Sequence, residues 1–246
     1  TDVRVEGDPG DVRAESWEVD YLLAETNRAF PKAGLMPESV LYTYSGVRPL
    51  PFTKNGDEQN ITRRHFLREH PRFANLVSVV GGKLTTYRSL AEECVDLVLR
   101  KLGREFSPSE TARTLLPCAK DYSVLARVYR QVPDKKYYNW FRIYGSRTKD
   151  VATLANRFNG DVLAAEVVFA FEQEFAETLA DCFLRRTMIG LNGDLGLSEI
   201  GVAAEVGRRL LGWSEERARR EVEAYGEEIL KMKKPKFLTP DARSIS

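Results

Sequence analysis

The chain has 246 residues, of which 43% are hydrophobic and 30% are charged, enough for one sizeable core or two smaller ones. Its 37 lysines and arginines nearly balance its 36 aspartates and glutamates, so it lacks the overall positive field of a general nucleic-acid binder. No apolar run reaches the roughly 18 residues of a transmembrane helix, and the start at Thr1-Asp2 without methionine suggests a piece of a longer protein.

The first hundred residues alternate between helical and strand patterns. The segments are a helix over 16–30, strands over 40–47, 61–68 and 76–80, and a helix over 84–102. Gly81 and Gly82 separate the last strand from the last helix, which predicts a strand, a tight turn and a helix in direct succession.

Beyond about residue 105 only helical patterns occur. They cover residues 124–130, 148–158, 165–187, 198–211 and 214–233. The clearest is 165–187, where five apolar residues recur on one face: Val168, Phe171, Phe175, Leu179 and Phe183. The whole pattern predicts an α+β fold class, a mixed α/β half followed by a helical bundle.

The cysteines predict no metal site. Cys94, Cys118 and Cys182 are widely spaced, no CxxC pair occurs, and the chain has only two histidines. We therefore predict no bound metal and interpret the thiols as buried core residues of a protein in a reducing compartment, the cytoplasm.

The segment LVSVVGGKLTTYR, residues 76–88, is the first candidate site. A strand that turns on two glycines into a helix presents free backbone N–H groups and the positive end of the helix dipole. Lys83 adds a cation, and Thr85 adds a hydroxyl donor. This combination suits an anionic or electron-rich cofactor edge, although a glycine-tightened turn with an exposed lysine is an equally good interpretation of the segment alone.

Arg48 is the second candidate. It lies between Gly46 and Pro49 at the end of a predicted strand, where a fixed guanidinium could grip a phosphate or carboxylate through two hydrogen bonds. For an isolated arginine, the commoner role is structural. Arg48 and Lys83, each at a strand end beside glycine, form a more specific pair than either residue alone.

Three motifs in this order resemble the FAD-dependent glycerol-3-phosphate dehydrogenases of the aerobic bacterial type. They are SGVRPL at 45–50, ITRRHFL at 61–67 and VVGGKLTTYRSLAEE at 79–93. The stretch EVDYLLAETNRAFP at 18–31 and the helical segment TLADCFLRRT at 178–187 extend the similarity over essentially the whole chain. No carboxy-terminal cysteine cluster or calcium loop occurs, which favours the aerobic type.

The resemblance implies an incomplete FAD and substrate domain of the D-amino-acid-oxidase type over 1–103 and an all-α domain over 104–246. Arg48 and Lys83 would be the catalytic pair. The residues implied to contact the flavin edge are Gly81, Gly82, Lys83, Leu84 and Thr85.

The implied reaction is oxidation of sn-glycerol 3-phosphate to dihydroxyacetone phosphate, with electrons passed to quinone or oxygen. No GxGxxG occurs, although the family uses one to hold the FAD pyrophosphate. We therefore expect that this piece binds FAD weakly or not at all and is inactive without an amino-terminal half.

Three alternatives concern the last helices. The basic stretch 207–236 could touch anionic lipid at the inner face of the cytoplasmic membrane, as the resemblance favours, or form an ordinary solvated surface. Residues 198–225 could also be mistaken for a DNA-reading helix pair, but their glutamates would repel phosphates, so we expect no nucleic-acid partner. A helical module that binds a partner, including a second copy in a homodimer, remains open.

Overall fold

The computed structural model describes residues 3–48, 50, 64–105 and 107–233. The elements are, in order, α1 (Ser16–Ala29), β1 (Phe66–Glu69), β2 (Val77–Val80), α2 (Tyr87–Lys101), α3 (Tyr122–Gln131), α4 (Lys135–Tyr144), α5 (Thr148–Arg157), α6 (Val162–Gln173), α7 (Leu179–Asp181, continuing as a π-helix over Cys182–Arg186), α8 (Ile200–Leu210) and α9 (Glu215–Leu230).

These residues form two compact units. The smaller unit contains the described residues of 1–12 and 46–115, and the helical unit contains those of 13–45 and 116–246. Helix α1 belongs to the helical unit, although it precedes both strands in the chain. The division into domains of 1–103 and 104–246 stays a prediction.

The smaller unit is built on an antiparallel pair of strands followed by α2. Phe66 lies opposite Val80, and Glu69 lies opposite Val77. In the connection between the strands, the His70 ring accepts hydrogen bonds from the backbone N–H groups of Arg72 and Phe73. The predicted strand at 76–80 and helix at 84–102 are confirmed, and β1 lies at the end of the predicted 61–68 strand, whose residues 61–63 are outside the described part.

The strand predicted over 40–47 is wrong, because this segment pairs with no described strand. The one inter-element backbone bond described for it joins the Thr43 N–H to the Met232 carbonyl at 2.8 Å. Tyr42 donates its hydroxyl proton to the Leu191 carbonyl. Alternating β-branched and aromatic residues favour extension, but only a neighbouring strand turns extension into a sheet.

The helical unit contains the fully buried core. One cluster joins α4, α5 and α6 around Trp140, Tyr144 and Phe169, and another joins α6 to α9 around Phe183 and Tyr225. The aromatic pairs meet edge to face, with centroids 5.3 Å apart for Tyr144–Phe169 and for Phe183–Tyr225. Such pairs add specific geometry to the area they bury.

The prediction of a single helix over 165–187 is wrong, because helix α6 ends at Gln173. Phe175 has φ 57° in the left-handed region and is 90% exposed, although the periodicity placed it on the buried face. The N–H of Ala176 returns to the carbonyl of Ala170 at 3.0 Å. Thr178 then accepts a hydrogen bond from the N–H of Asp181 and begins α7, so the threonine cap competes with continuation of α6.

Candidate functional site

The glycine turn lies directly after β2, as predicted. Gly81 has φ 72° and Gly82 has φ 110°, conformations that side chains with a Cβ rarely adopt. A Cβ on Gly81 would also lie 2.9 Å from the Arg64 carbonyl oxygen, on the chain that leads into β1. Both glycines are therefore required by the backbone itself.

The turn leads into a short 3₁₀ segment, Leu84–Thr86, and then into α2. Lys83 closes the turn, because its carbonyl accepts hydrogen bonds from both the N–H and the hydroxyl of Thr86, at 3.0 and 3.1 Å. Within the described part of the chain, four successive backbone N–H groups have no acceptor, those of Gly82, Lys83, Leu84 and Thr85. Free N–H groups at a helix start favour nearby negative charge, and we call the stretch that carries them, residues 82–85, the cradle.

The side chains of this cradle face solvent. Lys83 and Thr85 are exposed, and Leu84 is 88% exposed. Gly81 and Gly82 are half-buried. The predicted residues Gly81 to Thr85 are thus brought together in one accessible turn, where a ligand could meet a cation, a hydroxyl group and the free N–H groups at once.

Arg48 lies in the same compact unit as the turn and precedes β1 in the chain. Arg48 is an exposed residue that has an interaction partner within the protein. Its carbonyl accepts a hydrogen bond from the N–H of Leu50 at 2.9 Å. That Arg48 and Lys83 act on one ligand stays a prediction.

Two side-chain contacts behind the turn were not found from the sequence. The His65 imidazole is 12% exposed, lies beside Gly82, and places Nε2 3.0 Å from an Oε of Glu93 on α2. Arg88, also on α2, contacts Glu92 at 2.7 Å and the Thr111 hydroxyl at 3.2 Å. Both contacts hold α2 in place behind the turn, and no spacing rule links residues 28 or 23 positions apart.

Comparison with known proteins agrees with the motifs. The family model described as the C-terminal domain of alpha-glycerophosphate oxidase matches residues 109–218. A glycerol-3-phosphate dehydrogenase of Synechocystis sp. is 36% identical over 244 residues, which cover 92% of this chain. The chain belongs to the glycerol-3-phosphate dehydrogenase family.

Members of the glycerol-3-phosphate dehydrogenase family differ in the substrate they are named for. A D-erythritol 1-phosphate dehydrogenase of Brucella abortus is 36% identical over 76% of this chain. The chain spans less than half the length of these curated relatives, 44% of the Synechocystis protein and 40% of the Brucella protein.

A solved structure shows the same fold. The glycerol-3-phosphate dehydrogenase of Bacillus halodurans, complexed with FAD, matches 97% of this chain with a TM-score of 0.74 and 24% identity, over 49% of its own length. At this identity the match establishes the fold of the dehydrogenase family for this chain, while the residues of the turn rest on the geometry given above.

The positive charges near the end of the chain are largely paired with nearby glutamates. Arg219 contacts Glu223 at 2.8 Å, and Arg220 lies 4.0 Å from Glu216. Ion pairs between residues four positions apart are expected on a solvated helix surface. Lys231 contacts Glu228. Of the helices in the described ranges, none has the length and apolar character needed to cross a bilayer. Peripheral membrane contact stays a prediction.

Proposed function

We propose that the whole protein oxidises sn-glycerol 3-phosphate to dihydroxyacetone phosphate, with FAD as its cofactor. Two facts support this: the chain belongs to the glycerol-3-phosphate dehydrogenase family, and its glycine turn has the form of an anion cradle. The observation that carries the proposal is the row of N–H groups from Gly82 to Thr85, which have no acceptor among the described residues, beside the exposed Lys83.

The turn fits a flavin edge. A flavin gains negative charge near its pyrimidine ring on reduction, and unpaired N–H donors at a helix start stabilise such charge. FAD, when bound, supplies the acceptor for the hydride that leaves C2 of the substrate. Gly82, Lys83, Leu84 and Thr85 would hold this edge through backbone N–H groups, which keeps the contacts independent of side-chain rotamers.

Arg48 and Lys83 are assigned to the substrate. A guanidinium offers paired N–H donors that match two oxygens of a phosphate group, so Arg48 would bind and orient glycerol 3-phosphate. Lys83 is a compact cation on the turn, where it would stabilise the oxygen at C2 as that carbon becomes a carbonyl. Neither role requires either side chain to change its charge during the reaction.

Further parts of the proposal concern the whole protein. They are the aerobic type, quinone or oxygen as electron acceptor, peripheral contact with the inner face of the cytoplasmic membrane, a homodimer, and weak FAD binding with no activity for this piece alone. The family resemblance favours membrane contact. The ion pairs that cations of α9 form with glutamates of the same helix favour an ordinary solvated surface instead.

A second candidate substrate is D-erythritol 1-phosphate. The relative from Brucella abortus, named for that substrate, is as similar in sequence identity as the Synechocystis protein. Both substrates present a phosphate monoester for Arg48 and a secondary alcohol for oxidation, so the described residues serve either one.

The test is anaerobic flavin reduction in the full-length protein, followed by stopped-flow absorbance. We expect glycerol 3-phosphate to bleach the flavin and unphosphorylated glycerol to fail, with erythritol 1-phosphate run in parallel. Bleaching only by erythritol 1-phosphate would transfer the assignment to the second candidate. Flavin bands that neither phosphate bleaches would show that the proposed reaction is wrong.

Variants then test the two residues separately. Arg48→Ala should raise KM for the phosphorylated substrate about tenfold or more, the factor that corresponds to about 1.4 kcal/mol of lost binding. Lys83→Ala should mainly slow flavin reduction at saturating substrate. Arg68→Ala, an exposed arginine on β1 of the same unit, is the matched control and should leave both values unchanged. Unchanged kinetics in a variant would remove that residue from the mechanism.

A further inference from the structure

A cleft of about 480 Å³ lies in the helical unit, beside the break between α6 and α7. Its charged lining consists of Arg147, Glu174, Arg185 and Arg186, and Phe175 also lines it. Three arginines and one carboxylate therefore line a cleft that is open to solvent. The glycine turn and Arg48 belong to the smaller unit, so this cleft is a separate feature.

Glu174 holds two of the arginines in place. The Arg147 guanidinium lies 3.5 Å from a Glu174 carboxylate oxygen, and the Nε of Arg186 donates to the Glu174 backbone carbonyl at 2.5 Å. Arg185 contacts Asp181 at 3.2 Å, one helical turn before it. Arg147 and Arg186 thus both contact Glu174, the first at its carboxylate and the second at its backbone carbonyl.

Most donors of these arginines are unused. A guanidinium has five N–H donors, and the bonds described for this part of the chain take one from Arg147, one from Arg185 and two from Arg186. The Arg147 guanidinium also lies 4.4 Å above the ring centre of Phe169, a buried residue, which fixes its plane. The donors are thus held in place before any ligand arrives.

Two unusual backbone features coincide at this cleft. Phe175 occupies the left-handed region at φ 57°, which is unfavourable for a residue with a Cβ. The segment Cys182–Arg186, which carries two of the arginines, is a π-helix, a rare form that is frequent at functional sites. Strain of this kind persists where the surroundings require a particular arrangement of side chains.

We propose that this cleft binds the phosphate group of a small phosphorylated molecule. Planar guanidinium groups with free paired donors match phosphate oxygens, and the three arginines outnumber the two carboxylates that pair with them, those of Glu174 and Asp181. The exposed ring of Phe175 lies where it can cover the carbon part of such a ligand. A lipid headgroup carries the same phosphate chemistry, so the experiment separates a dissolved phosphate from a membrane-borne one.

The test is calorimetric titration of the full-length protein with inorganic phosphate at constant ionic strength. It is done in an Arg48→Ala background, so that phosphate bound at Arg48 does not contribute. Arg147→Gln and Arg185→Gln each remove one cation of the cleft. Arg219→Gln is the matched control, because Arg219, like Arg185, pairs with a carboxylate one helical turn away but lies outside the cleft. Binding to phosphatidylcholine vesicles with and without phosphatidylglycerol forms the second arm.

We expect saturable phosphate binding whose Kd rises about tenfold in both cleft variants and stays constant in Arg219→Gln, with all three variants folded as judged by Tm. Vesicle binding that depends on phosphatidylglycerol and on Arg147 and Arg185, without binding of free phosphate, would identify a lipid headgroup as the source. Equal affinity in all variants, or the absence of both kinds of binding, would overturn the proposal.

Discussion

The two units of this protein differ in what they contain: one has the proposed catalytic residues, and the other has the buried core. The smaller unit carries the glycine turn and Arg48, yet none of its described residues is buried, and large apolar side chains such as Phe66, Val79 and Leu84 are exposed. The helical unit carries the buried aromatic core. Since burial of apolar surface is the main source of stability, we expect the residues proposed for catalysis to lie in the less stable part of this chain when it is studied by itself.

Hydrogen exchange should show the largest difference between the units. Amides of β1 and β2 form one short ladder on an exposed sheet, whereas those of Val167–Ala170 in α6 are fully buried. We expect the strand amides of this chain to exchange at least about a thousandfold faster than the α6 amides after correction for intrinsic rates, because small openings of the sheet suffice. The measurement is native-state exchange followed by mass spectrometry.

The α2 helix provides an internal control for that experiment. It belongs to the smaller unit, has no buried residue, and is tied to β1 by an ion pair between Lys101 and Glu69. Its amides should exchange at rates closer to those of β1 and β2 than to those of α6. Equal protection of the strands and α6 would contradict the comparison and show that both units open together.

A pair of glycines on α8 tests the packing of the helical unit. A Cβ on Gly207 would lie 2.3 Å from the Trp213 ring, whereas a Cβ on Gly201 meets nothing within 4 Å. Gly207→Ala should therefore lower the free energy of unfolding by about 1–3 kcal/mol, the usual cost of overpacking. Gly201→Ala should change it by less than about 1 kcal/mol, in the stabilising direction, because alanine favours helix. Thermal unfolding measures both, and equal Tm values would show that the Trp213 contact is not tight.

Local patterns predicted the turn well. Gly81-Gly82 followed by Lys83 is a contiguous signal, and a strand, turn and helix follow directly from it. The same reasoning failed for residues 40–47, because a strand needs a partner that local sequence does not specify. The two contacts of His65 and Arg88 were missed for a related reason, since they join residues distant in the chain.

The break after α6 shows a second limit of periodicity. Phe175 continues the apolar repeat of Val168 and Phe171, and no glycine marks a left-handed residue there. The available signal was Thr178 with Asp181, a helix start in the middle of the predicted helix. The arginine cleft lies beside the end of α6, so a prediction of one continuous helix over 165–187 could not reveal it.

The smallest expected effect concerns Glu166, a carboxyl group within the helical core. Burial raises its pKa, opposed by hydrogen bonds from Tyr144, at 3.2 Å, and Trp140. A carboxyl group whose folded pKa is raised stabilises the protein fully below its unfolded pKa near 4.5, and this contribution is lost as the pH rises through the folded pKa. The ionised group at neutral pH therefore reduces stability.

Glu166→Gln removes the loss of stability that ionisation causes, because an amide stays neutral at every pH. The amide also keeps an oxygen that accepts the hydrogen bond from the Tyr144 hydroxyl. We expect Tm of Glu166→Gln and of the parent protein to agree near pH 4 and to diverge towards pH 7, where the variant should be higher by roughly 1–3 °C. Glu223→Gln, which removes an exposed partner of Arg219, should not raise Tm at pH 7. A difference between Glu166→Gln and the parent that is constant with pH would show that packing around the side chain, and not its ionisation, sets the effect.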